Sequence, residues 1–383
     1  MTELSAAPEV SAGAGRDERL PYVDNLRVAL TVLVVLHHVA VTYGDFPVWY
    51  YTEEAEDPSG KVLDVFVILN QAFFMGFFFM IAGYFTPGSY GRKGPRPFLR
   101  DRWKRLGIPL LAFLLVIRPM VNFDSFGAVR EAFAESGHGL PYWVFYLVTW
   151  DAGPMWFVEV LLLFAMVYVR VRRCRPSVPA VTGVLRGRSV VAFGAGLTVA
   201  TYAWRIVVPA GTYVPVLGLP TPNYLPQYAS FFAVGVLAWQ RGWAASLSRR
   251  AGRLGFAVAA AATAGYAPVA ILSPQRALDG RGTWQSLAAA GWESVFAIGM
   301  VIGLAVLFRE RLGRQGPRGA FLSRHAFAVY LTHPVVLVGL GHGFRWLDAP
   351  AVVKFAITGV LALPLCWGLA WAVRRLPRAD RVL

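Results

Sequence analysis

Ten apolar stretches follow one another along the 383-residue chain, at roughly residues 28–45, 62–85, 106–121, 154–170, 190–208, 224–240, 254–273, 287–308, 320–341 and 351–373. Each is close to the roughly 20 residues that a helix needs to cross the hydrocarbon core of a bilayer. With 56% hydrophobic and 15% charged residues, one soluble core has no room for them all. Hydrocarbon offers no partner to a backbone N–H or C=O, so apolar stretches of this kind are confined to helices. The expected fold is therefore all-α, a polytopic transmembrane bundle of about ten spans.

The formal charge of +15 is placed as membrane topology would place it. Basic residues fall in bursts between apolar stretches, and alternate connections hold 29 of the 37 lysines and arginines. The bursts run from Arg92 to Arg105, Arg170 to Arg188, Arg241 to Arg253, Arg309 to Arg324 and Arg374 to Arg381, with Arg16, Arg19 and Arg27 before the first span. The first connection on the other side carries Asp45, Glu53, Glu54, Glu56 and Asp57. Because Lys and Arg near span ends are retained in the cytoplasm, both termini are expected to be cytoplasmic. A nucleic-acid partner would need a basic face on a folded soluble domain, which is absent from this pattern.

Residues 1–20 are small, polar and charged and are expected to form a disordered cytoplasmic tail, residues 21–375 the membrane domain, and residues 376–383 a second short tail. The two cysteines, Cys174 beside arginines and Cys366 in the last apolar run, predict no disulfide framework and no metal site. Arginine supplies 33 of the 37 basic residues, among abundant Ala, Gly and Val, as in GC-rich bacterial genomes. The expected location is a bacterial cytoplasmic membrane. Between about residues 122 and 153, Pro141, Tyr142, Trp143, Tyr146 and Trp150 suit an interfacial aromatic belt or a shallow re-entrant helix.

Ionisable residues inside the spans carry the functional reading, since each costs about 2.5–3.5 kcal/mol on insertion scales. Arg27 and His38 bracket eleven residue steps of the first span, three helical turns plus about 20°, so they share one stripe roughly 16 Å apart. As a neutral imidazole at middle to outer depth, His38 is a candidate general base; the bland alternative is a histidine bonded to a neighbouring helix. His37 points about 100° away and is read as the structural member of the pair. Arg102 and Arg105, three apart at the start of the third span, would share a helical face suited to phosphate oxygens, or to lipid headgroups. Glu159, Glu293 and the pair Tyr330 and His333 lie at similar depth to His38, where one polar cavity would hold them, although Glu293 could equally pair with an arginine of an outer loop. Pro334 is expected to disturb the helix beside Tyr330 and His333.

Taken in order, these residues resemble the acyltransferase family 3 membrane proteins. The first span has the family's marker of a basic residue, ten residues and a histidine, here Arg27 and His38. Phe77-Phe-Phe-Met-Ile-Ala-Gly83-Tyr84-Phe85, the Arg102 and Arg105 pair leading into Leu-Gly-Ile-Pro109, Trp156-Phe157, Phe231-Phe-Ala-Val-Gly235 and Ala328-Val-Tyr330-Leu-Thr-His333-Pro334 are similar to the family's later motifs. The resemblance implies transfer of an acyl group, commonly acetyl, from cytoplasmic acyl-CoA to a hydroxyl of a glycan or a natural product such as a macrolide, without a metal. It makes His38 the catalytic histidine and Arg27, Arg102 and Arg105 donor-side residues, with Glu159, Glu293, Tyr330 and His333 as further catalytic candidates. The expected step is direct attack of the acceptor hydroxyl, His38 taking its proton while a carboxylate or Tyr330 orients the imidazole. Ten spans with intramembrane His and Glu would also suit a proton-coupled transporter or exporter.

Overall fold

A computed structural model describes residues 20–383 except 47–48, 136, 176–182 and 216–217. Apart from Leu20, the expected N-terminal tail therefore lies outside the described residues. The helices are α1 (Pro21–Tyr43), α2 (Gly60–Gln71), α3 (Phe74–Lys93), α4 (Pro95–Arg102), α5 (Ile108–Ala112), α6 (Arg118–Val121), α7 (Phe123–Glu135), α8 (Tyr142–Val148), α9 (Trp156–Cys174), α10 (Gly187–Val207), α11 (Leu225–Arg241), α12 (Trp243–Ser246), α13 (Arg249–Leu272), α14 (Gln275–Leu278), α15 (Trp284–Arg311), α16 (Pro317–Phe344) and α17 (Ala351–Arg374). No strand forms among the described residues, where only Val214 and Leu219 make an isolated antiparallel bridge.

All ten apolar stretches are helical. Among the described residues, eight helices or end-to-end helix pairs are long and apolar enough to cross a membrane, and nine if the run Pro95–Val121 with Ser125–Glu135, bent by 63°, counts as one. The remaining stretch, α11, has 17 residues and sits at the short end of the spanning range. The all-α polytopic bundle thus follows the sequence pattern. α1 occupies its middle, packed against α2, α3, α15, α16 and α17, with Leu26, Leu30, Val34, Val35 and Val39 buried. One feature that periodicity did not predict is the interior of the third span, where π-helical turns at Trp103–Gly107 and Phe113–Ile117 interrupt the α-helix. Each turn stands just before a proline, Pro109 or Pro119, whose ring would clash with the carbonyl four residues back in a regular helix.

The second of these turns explains the aromatic segment that follows. The Arg118 N–H bonds the Phe113 carbonyl, which leaves the Leu114 carbonyl facing Pro119, a residue with no N–H to give. The Tyr146 hydroxyl bonds that Leu114 carbonyl, and the Tyr142 hydroxyl bonds the Pro119 carbonyl at 2.6 Å. α8 therefore clamps the end of the third span with one face. Its other face leaves Trp143, Leu147 and Val148 exposed, as an interfacial belt would.

Two seams of glycine let helix backbones touch. A Cβ on Gly83 of α3 would collide with the Phe232 carbonyl of α11, and one on Gly235 of α11 with the Met80 carbonyl of α3. Gly255 and Gly299 play the same reciprocal part between α13 and α15. Small residues serve this purpose in membranes because van der Waals packing, not water exclusion, holds the helices together. Gly83→Ala and Gly235→Ala are each expected to destabilise the fold by about 1–3 kcal/mol through overpacking. In detergent thermal melts they should lower Tm by several degrees, whereas Gly91→Ala, where a Cβ meets nothing within 4 Å, should leave it unchanged.

Candidate functional site

His38 on α1 and His333 on α16 meet in the bundle, with His333 Nε2 3.3 Å from His38 Nδ1 and their ring centroids 4.9 Å apart. Each Nδ1 also faces a backbone carbonyl, Val34 at 2.9 Å for His38 and Tyr330 at 2.8 Å for His333. A carbonyl oxygen only accepts, so both Nδ1 atoms carry the proton, and His333 Nε2 accepts a share of the His38 Nδ1–H. The neutral tautomer of His38 then has its lone pair on Nε2. The Tyr330 carbonyl is available because Pro334, four residues on, has no N–H. Pro334 disturbs the hydrogen-bond ladder as expected, yet α16 runs through it unbroken, and the freed carbonyl orients His333.

His37 faces away from the His38 and His333 pair, towards α2 and the start of α3. It is buried, its Nδ1 lies 3.3 Å from Asn70 Nδ2 on α2, and its ring stacks on Phe74 at 5.1 Å. The connection after α1 supplies a contact that sequence reasoning missed. Trp49 returns over the site and stacks on His38 at 4.0 Å and on His333 at 5.8 Å between centroids. Its neighbour Tyr50 sets its hydroxyl against Gly153.

Tyr330, on α16 with His333, has its ring centroid 6.1 Å from that of His333 and faces the start of α9, which carries Glu159. The Tyr330 hydroxyl bonds the Pro154 carbonyl, and the Glu159 carboxylate is within electrostatic range of that tyrosine. Glu159 Oε2 is buried without a hydrogen-bond partner among the described residues. The orientation of His38 thus comes from the Val34 carbonyl and His333, not from a carboxylate or the Tyr330 hydroxyl as the sequence suggested. Beside this segment lies Arg118, 1% exposed, with Nη2 bonded to the Thr149 carbonyl and 3.2 Å from Asp151 Oδ2, and its guanidinium 4.8 Å from the Tyr146 ring centre. The other Asp151 oxygen accepts the Gly153 N–H at 2.7 Å. In the same connection as Leu219, burial and the Asp151 carboxylate push the Tyr213 phenol up to about 12.

Glu293 belongs to a different cluster. Its carboxylate binds Arg205 Nη2 at 2.6 Å and the Tyr224 hydroxyl at 3.0 Å, and the Arg205 guanidinium stands 5.2 Å from the Tyr224 ring centre. The sequence left open a pairing with an outer-loop arginine; the partner found is an arginine, but it belongs to the last turn of α10 and not to a loop. Towards the N-terminal end of α1, Arg27 is exposed and 3.7 Å from Asp24, separated from His38 by the helix between them. Arg102 lies over Phe98 at 5.1 Å, and Arg105 turns to Asp101 at 3.2 Å with 65% of its side chain exposed. The π-turn begins between these two arginines, so the one-face spacing expected of a regular helix is not kept.

The Arg205 and Glu293 pair has side chains only 2% and 10% exposed. Removing one charge strands the other in the interior, so Glu293→Gln is expected to destabilise the protein by about 3–5 kcal/mol. Thermal unfolding should show the loss, and Arg205→Met with Glu293→Gln should recover part of it; a double variant no better than the single would contradict the pairing.

A family profile described as an acyltransferase domain, of the acyltransferase 3 type, matches residues 20–371. Among curated proteins, glucans biosynthesis protein C of Escherichia coli O157:H7 is 26% identical over 338 residues, covering 82% of this chain and 81% of its own. The protein of the same name from Escherichia coli K12 matches with the same identity and coverage. No solved structure matches the chain. With the family profile spanning the bundle from the start of α1 into α17, the chain belongs to the acyltransferase 3 family of membrane proteins.

Proposed function

We propose that this protein is a membrane O-acyltransferase that moves an acyl group, acetyl in the simplest case, from cytoplasmic acyl-CoA to a hydroxyl of a carbohydrate acceptor. The single observation that carries the reading is the pair of imidazoles, because both Nδ1 atoms are committed to carbonyls and His38 is left with a free lone pair on Nε2. A base held in that tautomer takes the acceptor's proton as its oxygen attacks the thioester, a role worth about 10²- to 10⁴-fold in rate. His333 orients His38 and shares the charge of the imidazolium. The name of the curated relatives, glucans biosynthesis protein C, favours a glycan acceptor; a hydroxylated natural product would use the same chemistry.

The donor side is assigned to the end of the bundle that carries Arg27, Arg102 and Arg105. CoA is polyanionic, and Arg105 is exposed enough to meet a phosphate without unmaking a buried contact. The clustering of basic residues in alternate connections supports cytoplasmic termini, hence a cytoplasmic donor. The pantetheine arm is long enough to carry the thioester into the bundle towards His38. Family membership favours this reading over the proton-coupled transporter.

The decisive assay follows thiol release from acetyl-CoA by the purified protein, with a panel of glucans, other envelope glycans and hydroxylated natural products. His38→Ala is expected to reduce acceptor-dependent release by about 10²-fold or more, and His333→Ala by less. Near-normal transfer in His38→Ala would remove the base assignment. Arg102→Ala with Arg105→Ala should raise KM for acetyl-CoA with little change in kcat; an unchanged KM would place the donor elsewhere.

A further inference from the structure

Four of the ten buried side-chain polar atoms that find no hydrogen-bond partner among the described residues are donors of just three side chains: Trp49 Nε1, the Tyr50 hydroxyl, and Arg118 Nε and Nη1. Buried donors are almost always satisfied, so a group of them in one place calls for an acceptor that arrives from outside the chain. The three side chains are linked. Trp49 lies 4.0 Å from His38 between ring centroids and 5.1 Å from Tyr50. The Tyr50 hydroxyl stands against Gly153, whose N–H bonds one oxygen of Asp151 at 2.7 Å while the other oxygen faces Arg118 at 3.2 Å. On the far side of the same backbone, the Tyr330 hydroxyl bonds the Pro154 carbonyl and ties the segment to the helix that carries His333.

We propose that Trp49 Nε1, the Tyr50 hydroxyl and Arg118 form a donor pocket for the carbonyl oxygen of the acyl group in transfer. The assignment rests on the acyltransferase reading of His38. In that step the acceptor oxygen forms a bond to the thioester carbon, its proton passes to His38 Nε2, and the carbonyl π electrons settle on oxygen as an oxyanion. Collapse re-forms the C=O bond and breaks the C–S bond, and the departing CoA sulfur takes the proton back from His38. An alcohol within hydrogen-bond reach of His38 brings the reacting carbon beside the same imidazole, which is the ring that Trp49 covers. The charge balance selects among anions. Asp151 already compensates Arg118, so the pocket offers oriented donors without net positive charge. Such an arrangement suits a charge that develops only during the reaction more than a permanent carboxylate or phosphate on the acceptor.

The test is Tyr50→Phe, with Trp49→Phe as a second variant, in the full-length protein. The Tyr50 hydroxyl has no partner among the described residues, so a merely structural role predicts a neutral or raised Tm and unchanged kinetics. The proposal predicts that kcat for acceptor-dependent thiol release falls about 10- to 100-fold, while KM for acetyl-CoA and for the acceptor stays within about twofold and Tm is not lowered. Binding gives an arm that needs no acceptor. The trifluoromethyl ketone analogue of acetyl-CoA, whose hydrated carbon is tetrahedral, should bind wild type more tightly than acetyl-CoA does. Tyr50→Phe should weaken the analogue about 10-fold or more and leave acetyl-CoA binding unchanged. Wild-type activity with unchanged kcat and unchanged analogue affinity in both variants would overturn the pocket and leave the transferase standing. A rise in acceptor KM at constant kcat would also overturn it, assigning the donors to a charge on the acceptor. Failure of the wild type to bind acetyl-CoA at all would overturn the transferase reading and the pocket with it.

Discussion

A proline in a membrane helix leaves a carbonyl without its N–H, and hydrocarbon supplies no water to take its place. In this protein the repairs of that defect position the candidate chemistry. Pro334 frees the Tyr330 carbonyl, His333 bonds it through Nδ1, and the other nitrogen of His333 is thereby turned towards His38. Pro119 leaves the Leu114 carbonyl to Tyr146, which draws α8 against the end of the third span and sets an aromatic face beside the Arg118 guanidinium. Local backbone chemistry thus orients side chains that are far apart in sequence.

Around these repairs the bundle separates two kinds of buried charge. Arg205 and Glu293 are paired, with the carboxylate also bonded to Tyr224, and the cluster reads as a structural tie between α10 and α15. Arg118 is paired on one nitrogen only, and its neighbours Trp49 and Tyr50 also retain unsatisfied donors among the described residues. Arg205 also keeps an Nε without a partner among the described residues; what sets the Arg118 group apart is that unsatisfied donors of three side chains gather beside the His38 imidazole, where a ligand can meet them. The glycine seams have a related purpose. By letting α3 meet α11 backbone to backbone, they hold the aromatic packing of Phe79, Trp156 and Tyr228, with Tyr228 5.1 Å from Phe79 and 5.4 Å from Trp156, and so fix the start of α9.

Much of this was legible in the chain. Apolar length placed the helices, and α1 carries His37 and His38 with the different surroundings that their 100° separation implied. The motif-bearing residues His38, Tyr330 and His333 come together, and Glu159 approaches Tyr330. Other readings needed the fold. The spacing of Arg102 and Arg105 assumed a regular helix, and the signal that it would not be regular was present in Pro109 and Pro119. Trp49 and Tyr50 gave no signal, because a connection has no periodicity from which to tell where its side chains point. Arg118 and Arg205 stood among the few basic residues outside the bursts between alternate spans, and that displacement was the one sequence mark of their burial.

By itself, then, the sequence determined the helices, their number to within the short and bent ones, and the identity of the ionisable groups inside them, since apolar length and helical period are properties of contiguous residues. Only the tertiary structure decided which groups meet. His38 and His333 are 295 residues apart, Arg205 and Glu293 88 apart, and Arg118 and Asp151 33 apart. Such pairings depend on which helix faces pack together and which nitrogen each carbonyl holds, and no period along one chain segment encodes them.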